Sequence, residues 1–273
     1  MRANTIEPTR GRRGPVVVAL LVCAALLIGG LALGFGKLRE IYLEQCVITD
    51  MPNQVLIVSG KMVKADVIAE NLGLRAGVNL ALVDFKQKRD ELLRRIPTLR
   101  TVSISRKLPD KVEIVAEERV PIAKMGVHGR RVPTGRVVDS EGVVFPCMRG
   151  TQLLPTIVEP QSPGTATGQR LKGRSLAALR LVETCRAPEF GDLAVLEVDV
   201  AKPDYLLVTL GGNYARAKIA WDGMENPDDH RLDDLKVRLA KLQSAIRANV
   251  TGDAKLWNAT LPDRIFSDSE RTN

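Results

Sequence analysis

The sequence predicts an α+β protein with one N-terminal transmembrane helix, a small βααββ unit, and then a mixed α+β domain with a mainly antiparallel sheet. Three observations lead to this prediction. They are an uncharged apolar run near the N-terminus, apolar periodicities between residues 55 and 118, and a series of short β-type runs beyond residue 119. The 273 residues are enough for one or two domains, each with a buried core.

The composition is that of a folded globular chain. Hydrophobic residues make up 45% and charged residues 26%, which excludes global disorder and a multi-span transporter. Aromatic residues are only 4% and there are two histidines, so a base-stacking platform or a histidine-based catalytic centre is disfavoured. The net charge of +8 has no dense basic stripe behind it, because acids are interspersed among the bases. The sequence therefore predicts no nucleic-acid partner.

The run from Gly14 to Gly36 carries no charged residue. At about 1.5 Å per residue, a helix of this length crosses the roughly 30 Å hydrocarbon layer of a membrane. A cleaved signal peptide is the alternative, but its apolar core is typically about 7 to 15 residues, so an uncleaved anchor is predicted. Four arginines precede the run and mixed charges follow it. The positive-inside rule then places the N-terminus in the cytoplasm and the bulk of the chain outside it.

Three cysteines, Cys46, Cys147 and Cys185, follow this run. An exported chain could pair at most two of them in a disulfide. None has the CxxC spacing of a metal or redox motif, so unpaired buried thiols are predicted.

The region from residue 55 has the pattern of a small βααββ unit. A short apolar strand is predicted at Val55 to Val58, and amphipathic helices are predicted over 64–72 and 84–95. Two alternating strands follow, around 101–105 and 112–116. The expected result is a three-stranded sheet with two helices on one face.

The pattern of the second half of the sequence predicts a mixed α+β domain. Residues 119–146 have the pattern of a strand, a glycine-rich hairpin and a strand, and a helix is predicted at 174–186. Three β-type runs over 194–221 predict a meander and not a βαβ fold. A last β-type segment covers 255–267. We expect the exported chain from about residue 45 to fold alone.

A helix is predicted at 231–247, where leucine and isoleucine recur at spacings of three and four residues. This is a coiled-coil seam, but it lasts for only two heptads. A helix that lays its apolar face on the sheet is therefore favoured over a partner coiled coil.

No convincing catalytic set occurs in the sequence, which has no G-x-S-x-G, H-E-x-x-H, P-loop or G-x-G-x-x-G motif. His128 and His230 are interpreted as surface residues. Asp139 is interpreted as a carboxylate that stabilises a turn. The charged residues 117–119 predict either a strand edge or a structural ion pair, and we favour the ion pair. The sequence thus predicts no enzyme, no cofactor, no metal and no small-molecule substrate.

Four parts of the sequence stand out: Gly60, the Gly-Val-Asn-Leu turn at 77–80, RRIPTLRTVSISRKLPDKVEIVAEERVPIA at 94–123 and VVDSEGVVF at 137–145. Together they resemble the FtsQ/DivIB family of bacterial cell-division proteins. The combined spacing of the following residues makes the resemblance specific: Pro97, Arg106, Pro109, Glu118, Arg119, Pro121, Asp139 and Gly142. The resemblance covers roughly residues 55–266. It implies a POTRA domain after a single membrane anchor, and a second β domain after the POTRA domain.

The pattern and the resemblance together predict six segments. They are a cytoplasmic tail (1–13), a transmembrane helix (14–36), a juxtamembrane linker (37–54), a POTRA domain (55–122), an FtsQ-type β domain (123–267) and a tail (268–273).

The resemblance implies a bitopic scaffold in the cell (inner) membrane, expected at the division septum, that recruits and links other membrane division proteins. In this family the C-terminal β region receives a strand from a small bitopic coiled-coil protein, a mode of binding called β-augmentation. Carried onto this chain, the resemblance implies a partner site at Thr260, Leu261, Arg264, Ile265 and Phe266, beside the 231–247 helix. Of the last two, one should pack on the core and the other should be available to the partner.

One departure from the family lies beside this site: Asn258, Ala259 and Thr260 stand where an Asp-Leu-Arg-like triplet is usual. Two other functions stay open. One is a POTRA-type chaperone or translocation partner for exported proteins, which would usually have tandem POTRA repeats or a following barrel. The other is an anchored exported enzyme or cell-wall-binding module.

Overall fold

The computed structural model describes residues 14–107, 109–129, 134–160, 164–211, 215–221, 223–225, 229–249 and 256–268. Its helices are α1 (Gly14–Gln45), α2 (Met51–Gln54), α3 (Ala65–Leu72), α4 (Phe85–Arg95), α5 (Gly173–Cys185) and α6 (Asp229–Ala248). Its strands are β1 (Val55–Val58), β2 (Leu99–Lys107), β3 (Lys111–Glu118), β4 (Ala123–Val127), β5 (Arg136–Val138), β6 (Val144–Pro146), β7 (Thr156–Glu159), β8 (Val195–Asp199), β9 (Leu206–Leu210), β10 (Arg216–Ile219), β11 (Leu256–Ala259) and β12 (Phe266–Asp268). A 3-10 turn, Pro188–Phe190, follows α5.

The strands form two sheets. The first has three strands in the order β1-β3-β2, and the second has nine in the order β12-β11-β10-β9-β8-β7-β4-β5-β6. Both sheets are mixed, and the larger one is mainly antiparallel. The predicted α+β class is confirmed. The βααββ order is also confirmed, since β1 is followed along the chain by α3, α4, β2 and β3.

The described chain divides into two compact units. One comprises the residues up to Val58 with Ala65–Lys88 and Ser103–Val115. The other comprises Ser59–Lys64, Arg89–Val102 and the chain from Ala116 onward. The nine-stranded sheet lies wholly in the second unit.

Helix α1 is long and apolar enough over Leu20–Gln45 to cross a membrane, by length and composition. Its 32 residues include the predicted span at 14–36 and continue beyond it to Gln45. The first part of the predicted juxtamembrane linker is therefore helical. The predicted cytoplasmic tail, residues 1–13, lies outside the described residues.

Directly after α1, the chain is hydrogen-bonded to the 77–80 turn. Leu80 donates its N–H to the Cys46 carbonyl at 2.8 Å, and Ile48 donates to the Val78 carbonyl at 2.9 Å. The side-chain amide of Asn79 donates to the carbonyl of Leu43, in the last turn of α1, at 2.7 Å. The Gly-Val-Asn-Leu turn at 77–80, which is part of the family resemblance, therefore holds the end of α1 by hydrogen bonds.

The three-stranded sheet follows the predicted alternation. β3 lies in the centre, and β1 runs parallel to it with Val55 opposite Val112. Val112, Ile114 and Ala116 of β3 are buried, as predicted. A connection of three residues joins β2 to β3, so these two strands run antiparallel.

In the nine-stranded sheet, β8, β9 and β10 form the predicted antiparallel meander. Beyond this meander, the domain also contains βαβ crossovers, which were not predicted. Helix α5 connects β7 to the parallel strand β8, and α6 connects β10 to the parallel strand β11. The first crossover was missed because β7 has only four residues and lies in a proline- and glycine-rich connection that has no apolar alternation.

The main core packs α5 and α6 against the larger sheet. Leu235, Leu239 and Leu242 of α6 are each at most 3% exposed and belong to one apolar cluster with Ala217 and Trp257 of the sheet. This confirms the predicted helix on the sheet for 231–247. Burial of each such leucine contributes about 1.5–3 kcal/mol.

Two predicted β segments differ from the structure. Residues 119–146 contain three strands, β4, β5 and β6, where a strand, a hairpin and a strand were predicted. The last β segment, 255–267, is divided into β11 and β12, which pair antiparallel. Pro262 lies between them, and proline cannot donate a hydrogen bond to a ladder, which accounts for the interruption.

Candidate partner-binding edge

Strand β12 forms one edge of the nine-stranded sheet. Phe266 is its first residue, whereas Thr260, Leu261, Arg264 and Ile265 lie in the connection from β11. A continuous strand over these five predicted partner residues is therefore not formed. The structure places Thr260, Leu261, Arg264 and Ile265 next to the edge strand, and Phe266 within it.

The hydrogen-bonding edge of β12 that faces away from β11 is open in the described part of the chain. On its inner side, Phe266 lies opposite Asn258 and Ser267 lies opposite Trp257. No described strand pairs with the outer side. An edge of this kind presents backbone N–H and C=O groups that an added strand can bind.

The side chains of Ile265 and Phe266 have opposite environments. Ile265 is partly buried and packs against the main core, whereas Phe266 is 46% exposed. Ile265 is thus the one of the two that packs on the domain, and the contact of Phe266 with a partner stays a prediction. Leu261, 53% exposed, adds a second accessible apolar side chain to the connection.

Local hydrogen bonds hold the connection in place. The side-chain oxygen of Asn258 accepts from the backbone N–H of Thr260 at 3.1 Å and from its hydroxyl at 2.7 Å. Lys241 of α6 donates to the Pro262 carbonyl at 3.2 Å. Asn258, the first residue of the departure from the family triplet, therefore forms a turn of the kind that asparagine favours.

A second polar constellation lies at the end of β3, where the partly buried Arg119 forms an ion pair with the buried Asp139. Its guanidinium donates to one carboxylate oxygen of Asp139, to Glu141 at 3.1 Å and to the Pro97 carbonyl at 3.1 Å. The side chains of Arg119 and Asp139 are 12% and 4% exposed. The sequence favoured an ion pair among residues 117–119, but the acids that pair with Arg119 lie in the 139–141 turn.

Asp139 also performs its predicted structural role in the turn. Its other carboxylate oxygen accepts from the N–H groups of Glu141 at 3.1 Å and Val143 at 2.8 Å. Gly142 completes the turn with φ +78°, a left-handed conformation that favours glycine. The hydrogen bonds that Glu141 accepts from Arg100 and Arg119 lower the pKa of its carboxyl.

The sequence did not predict the role of Glu118. Its carboxylate accepts from the backbone N–H groups of Lys61, Met62 and Val63 at 3.0, 2.7 and 2.7 Å. A Cβ at Gly60 would lie 2.1 Å from this carboxylate. Gly60 and Glu118, far apart in the sequence, are thus required together, because only glycine leaves room for the carboxylate.

The two histidines lie at the surface, as interpreted from the sequence. His230 is 85% exposed, and His128 is 57% exposed with its Nδ1 3.0 Å from Asp199. Within the described ranges, no group of three or more His, Cys, Asp or Glu residues could hold a metal ion. Cys46, Cys147 and Cys185 are free and buried, as predicted.

Comparison with known proteins agrees with this architecture. Residues 52–119 match the family model described as POTRA domain, FtsQ-type. The chain is 42% identical over 55 residues to Cell division protein FtsQ of Neisseria meningitidis serogroup B, and equally similar to that of Neisseria gonorrhoeae. Each match covers 20% of this chain and spans about a fifth of the relative's length.

The fold and the family match define a protein with an FtsQ-type POTRA domain behind an N-terminal apolar helix. The resemblance to the FtsQ/DivIB family is thereby confirmed, and the matched residues are those of the POTRA domain.

Proposed function

We propose that this chain is a single-pass membrane scaffold of the bacterial cell-division machinery. The observation that carries the proposal is the FtsQ-type POTRA domain directly behind α1, together with relatives named as cell-division proteins. The proposed organisation keeps the POTRA domain at 55–122 and the β domain at 123–267. The scaffold acts by binding, and it performs no catalysis.

The proposed topology puts the N-terminus in the cytoplasm and both folded domains outside. Four arginines before α1 support this orientation by the positive-inside rule. The hydrogen bonds between the end of α1 and the 77–80 turn support a POTRA domain held close to the membrane surface.

The proposed recruitment site is the open edge of β12. A strand from a small bitopic coiled-coil division protein would add to this edge through backbone hydrogen bonds. Phe266 would contact the incoming side chains, because it is exposed beside the edge. Leu261 and Arg264 would contact the flanks of the added strand, since both are exposed. Thr260 and Ile265 would hold the connection in place.

Depletion in the parent bacterium tests the proposed function. The expected result is filamentous or enlarged cells, because growth continues while division stops. A plasmid copy of the full chain should restore division, and a copy without residues 14–45 should not. Normal division after complete depletion, with no second copy of the gene, would contradict the proposal and favour an exported chaperone or enzyme.

A further inference from the structure

The last turn of α1 lies a short distance above the proposed membrane span. Helix α1 is continuous from Gly14 to Gln45, so this turn is the direct extension of the predicted span at 14–36. From Gly36 to Leu43 the helix rises by about 10 Å, at about 1.5 Å per residue. The headgroup layer on each side of the hydrocarbon is about 5–8 Å thick. With α1 across the membrane, Leu43 therefore lies near the outer boundary of the headgroups.

Hydrogen bonds hold the loop at 77–84 beside this turn of α1, within the same compact unit. The side-chain amide of Asn79 donates to the Leu43 carbonyl at 2.7 Å. Further along the loop, Arg106 of β2 donates to the Val83 carbonyl. The loop is thus fixed both to α1 and to the small sheet, and it lies close to the membrane surface that α1 defines.

Apolar side chains are exposed at this end of the unit. Leu82 of the loop is 71% exposed, more than any other large apolar side chain of this unit outside α1 in the described ranges. Leu38, Ile41 and Tyr42 of α1 are 67%, 54% and 43% exposed. Spacings of three and four residues put these three on one side of the helix. Tyrosine is enriched where membrane and water meet, so this side of α1 has the composition of an interfacial surface.

We propose that the 77–84 loop rests on the lipid surface, with Leu82 and the Leu38, Ile41 and Tyr42 side of α1 in contact with the headgroup layer. Lipid is the occupant because interfacial apolar side chains enter the boundary of headgroups and acyl chains by about 5–10 Å, the height of α1 between Gly36 and Leu43. The inference rests on the membrane anchor of the proposed function and adds a second lipid contact to it. Two contacts give the POTRA domain a defined orientation on the membrane.

The test is lipid quenching of a fluorescent dye on the full-length protein in phosphatidylcholine vesicles. Leu82→Cys, in a Cys23→Ala background, is labelled with a maleimide dye, and mass spectrometry verifies the labelled position. The other cysteines are buried and should react slowly: Cys46, Cys147 and Cys185. A lipid with a nitroxide on its headgroup should reduce the emission at position 82 about twofold or more, because the dye then lies within the headgroup layer.

Val58→Cys in the same background is the matched control, because Val58 is 50% exposed and belongs to the same unit. Gln54, directly before β1, binds Asp110 of the β2–β3 turn at 2.9 Å. Arg106 ties this end of β2 to the 77–84 loop. Val58 ends β1, so it lies farther from the loop by the length of the strand, about 10 Å. The dye at position 58 should therefore be quenched much less than the dye at position 82.

A dye on Cys23 of the wild-type chain separates this inference from the proposed anchor, because Cys23 lies within the predicted span. A lipid with its nitroxide on the acyl chain should quench this dye strongly. Quenching at Cys23 together with equal headgroup quenching at positions 58 and 82 would overturn the lipid contact and leave the anchor intact. No quenching at Cys23 would overturn the anchor and the lipid contact together.

Discussion

The guanidinium of Arg119, which is partly buried, and the buried carboxylate of Asp139 form an ion pair that joins the end of β3 to the turn between β5 and β6. The same guanidinium also binds the Pro97 carbonyl before β2. The charge of Asp139 is removed from water, so it depends for compensation on Arg119 and on the N–H groups of the turn. This explains why arginine and aspartate occur together in the family-like spacing at 119 and 139.

Removal of Arg119 should therefore destabilise the exported part of the chain strongly. Arg119→Ala should lower the free energy of unfolding by about 3–5 kcal/mol, because Asp139 would remain buried without its partner. The measurement is urea unfolding of the fragment from Gln45 onward. The double variant with Asp139→Asn should lose less unfolding free energy than the two single variants lose together. The difference, which is the coupling energy, should be about 1–3 kcal/mol. Strict additivity would show that the two residues act separately.

Replacement of Gly60 should disrupt the Glu118 carboxylate and its three N–H donors. Gly60→Ala should cost about 1–3 kcal/mol in unfolding free energy, because the new methyl group would displace that carboxylate. Gly191→Ala is the matched control, since its nearest neighbour is 3.4 Å away. In a Glu118→Ala background the penalty at Gly60 should largely disappear. An unchanged penalty there would assign the effect to the backbone instead.

Glu141 should make stability depend on pH in the acid range. Its pKa is lowered from 4.5 by hydrogen bonds from Arg100 and Arg119, so the unfolded chain takes up this proton first as the pH falls. The stabilisation is present above about pH 4.5 and is lost as the pH falls through the lower folded value. Between about pH 5 and 3, the wild-type fragment should lose more unfolding free energy than Glu141→Gln does. Parallel curves for the two proteins would contradict this account.

Phe266 should determine partner binding without affecting the fold. Phe266→Asp should weaken capture of the small coiled-coil division protein by the exported fragment about tenfold or more, as expected for an exposed aromatic contact. Leu153→Asp is the matched control. It replaces a 98% exposed side chain between β6 and β7, far from β12 in strand order. Both variants should keep the wild-type melting temperature. Equal capture by both would place the partner elsewhere.

The elements with strong local periodicity could be predicted from the sequence. Helix α6 is an example, because Leu235, Leu239 and Leu242 recur on one face and all three are buried. The alternation at Val112 and Ile114 predicted β3 for the same reason. These patterns report which face of an element meets the core, and the core then forms as expected.

Contacts between distant residues could not be predicted in this way. Gly60 and Glu118 meet because β3 ends beside the 60–63 segment, and no local pattern indicates that approach. At the candidate edge, the alternation of Ile265 and Phe266 was visible in the sequence. The break at Pro262 has a local cause, since proline cannot extend a ladder. It was missed because the apolar residues on both sides were taken as one strand.

The central claim, that this chain is a membrane-anchored division scaffold, is tested most directly by where the protein lies in dividing cells. A fluorescent fusion to its N-terminus, expressed at the native level in the parent bacterium, should form a band at the constriction site. The same fusion distributed evenly around the membrane of constricting cells would contradict the claim.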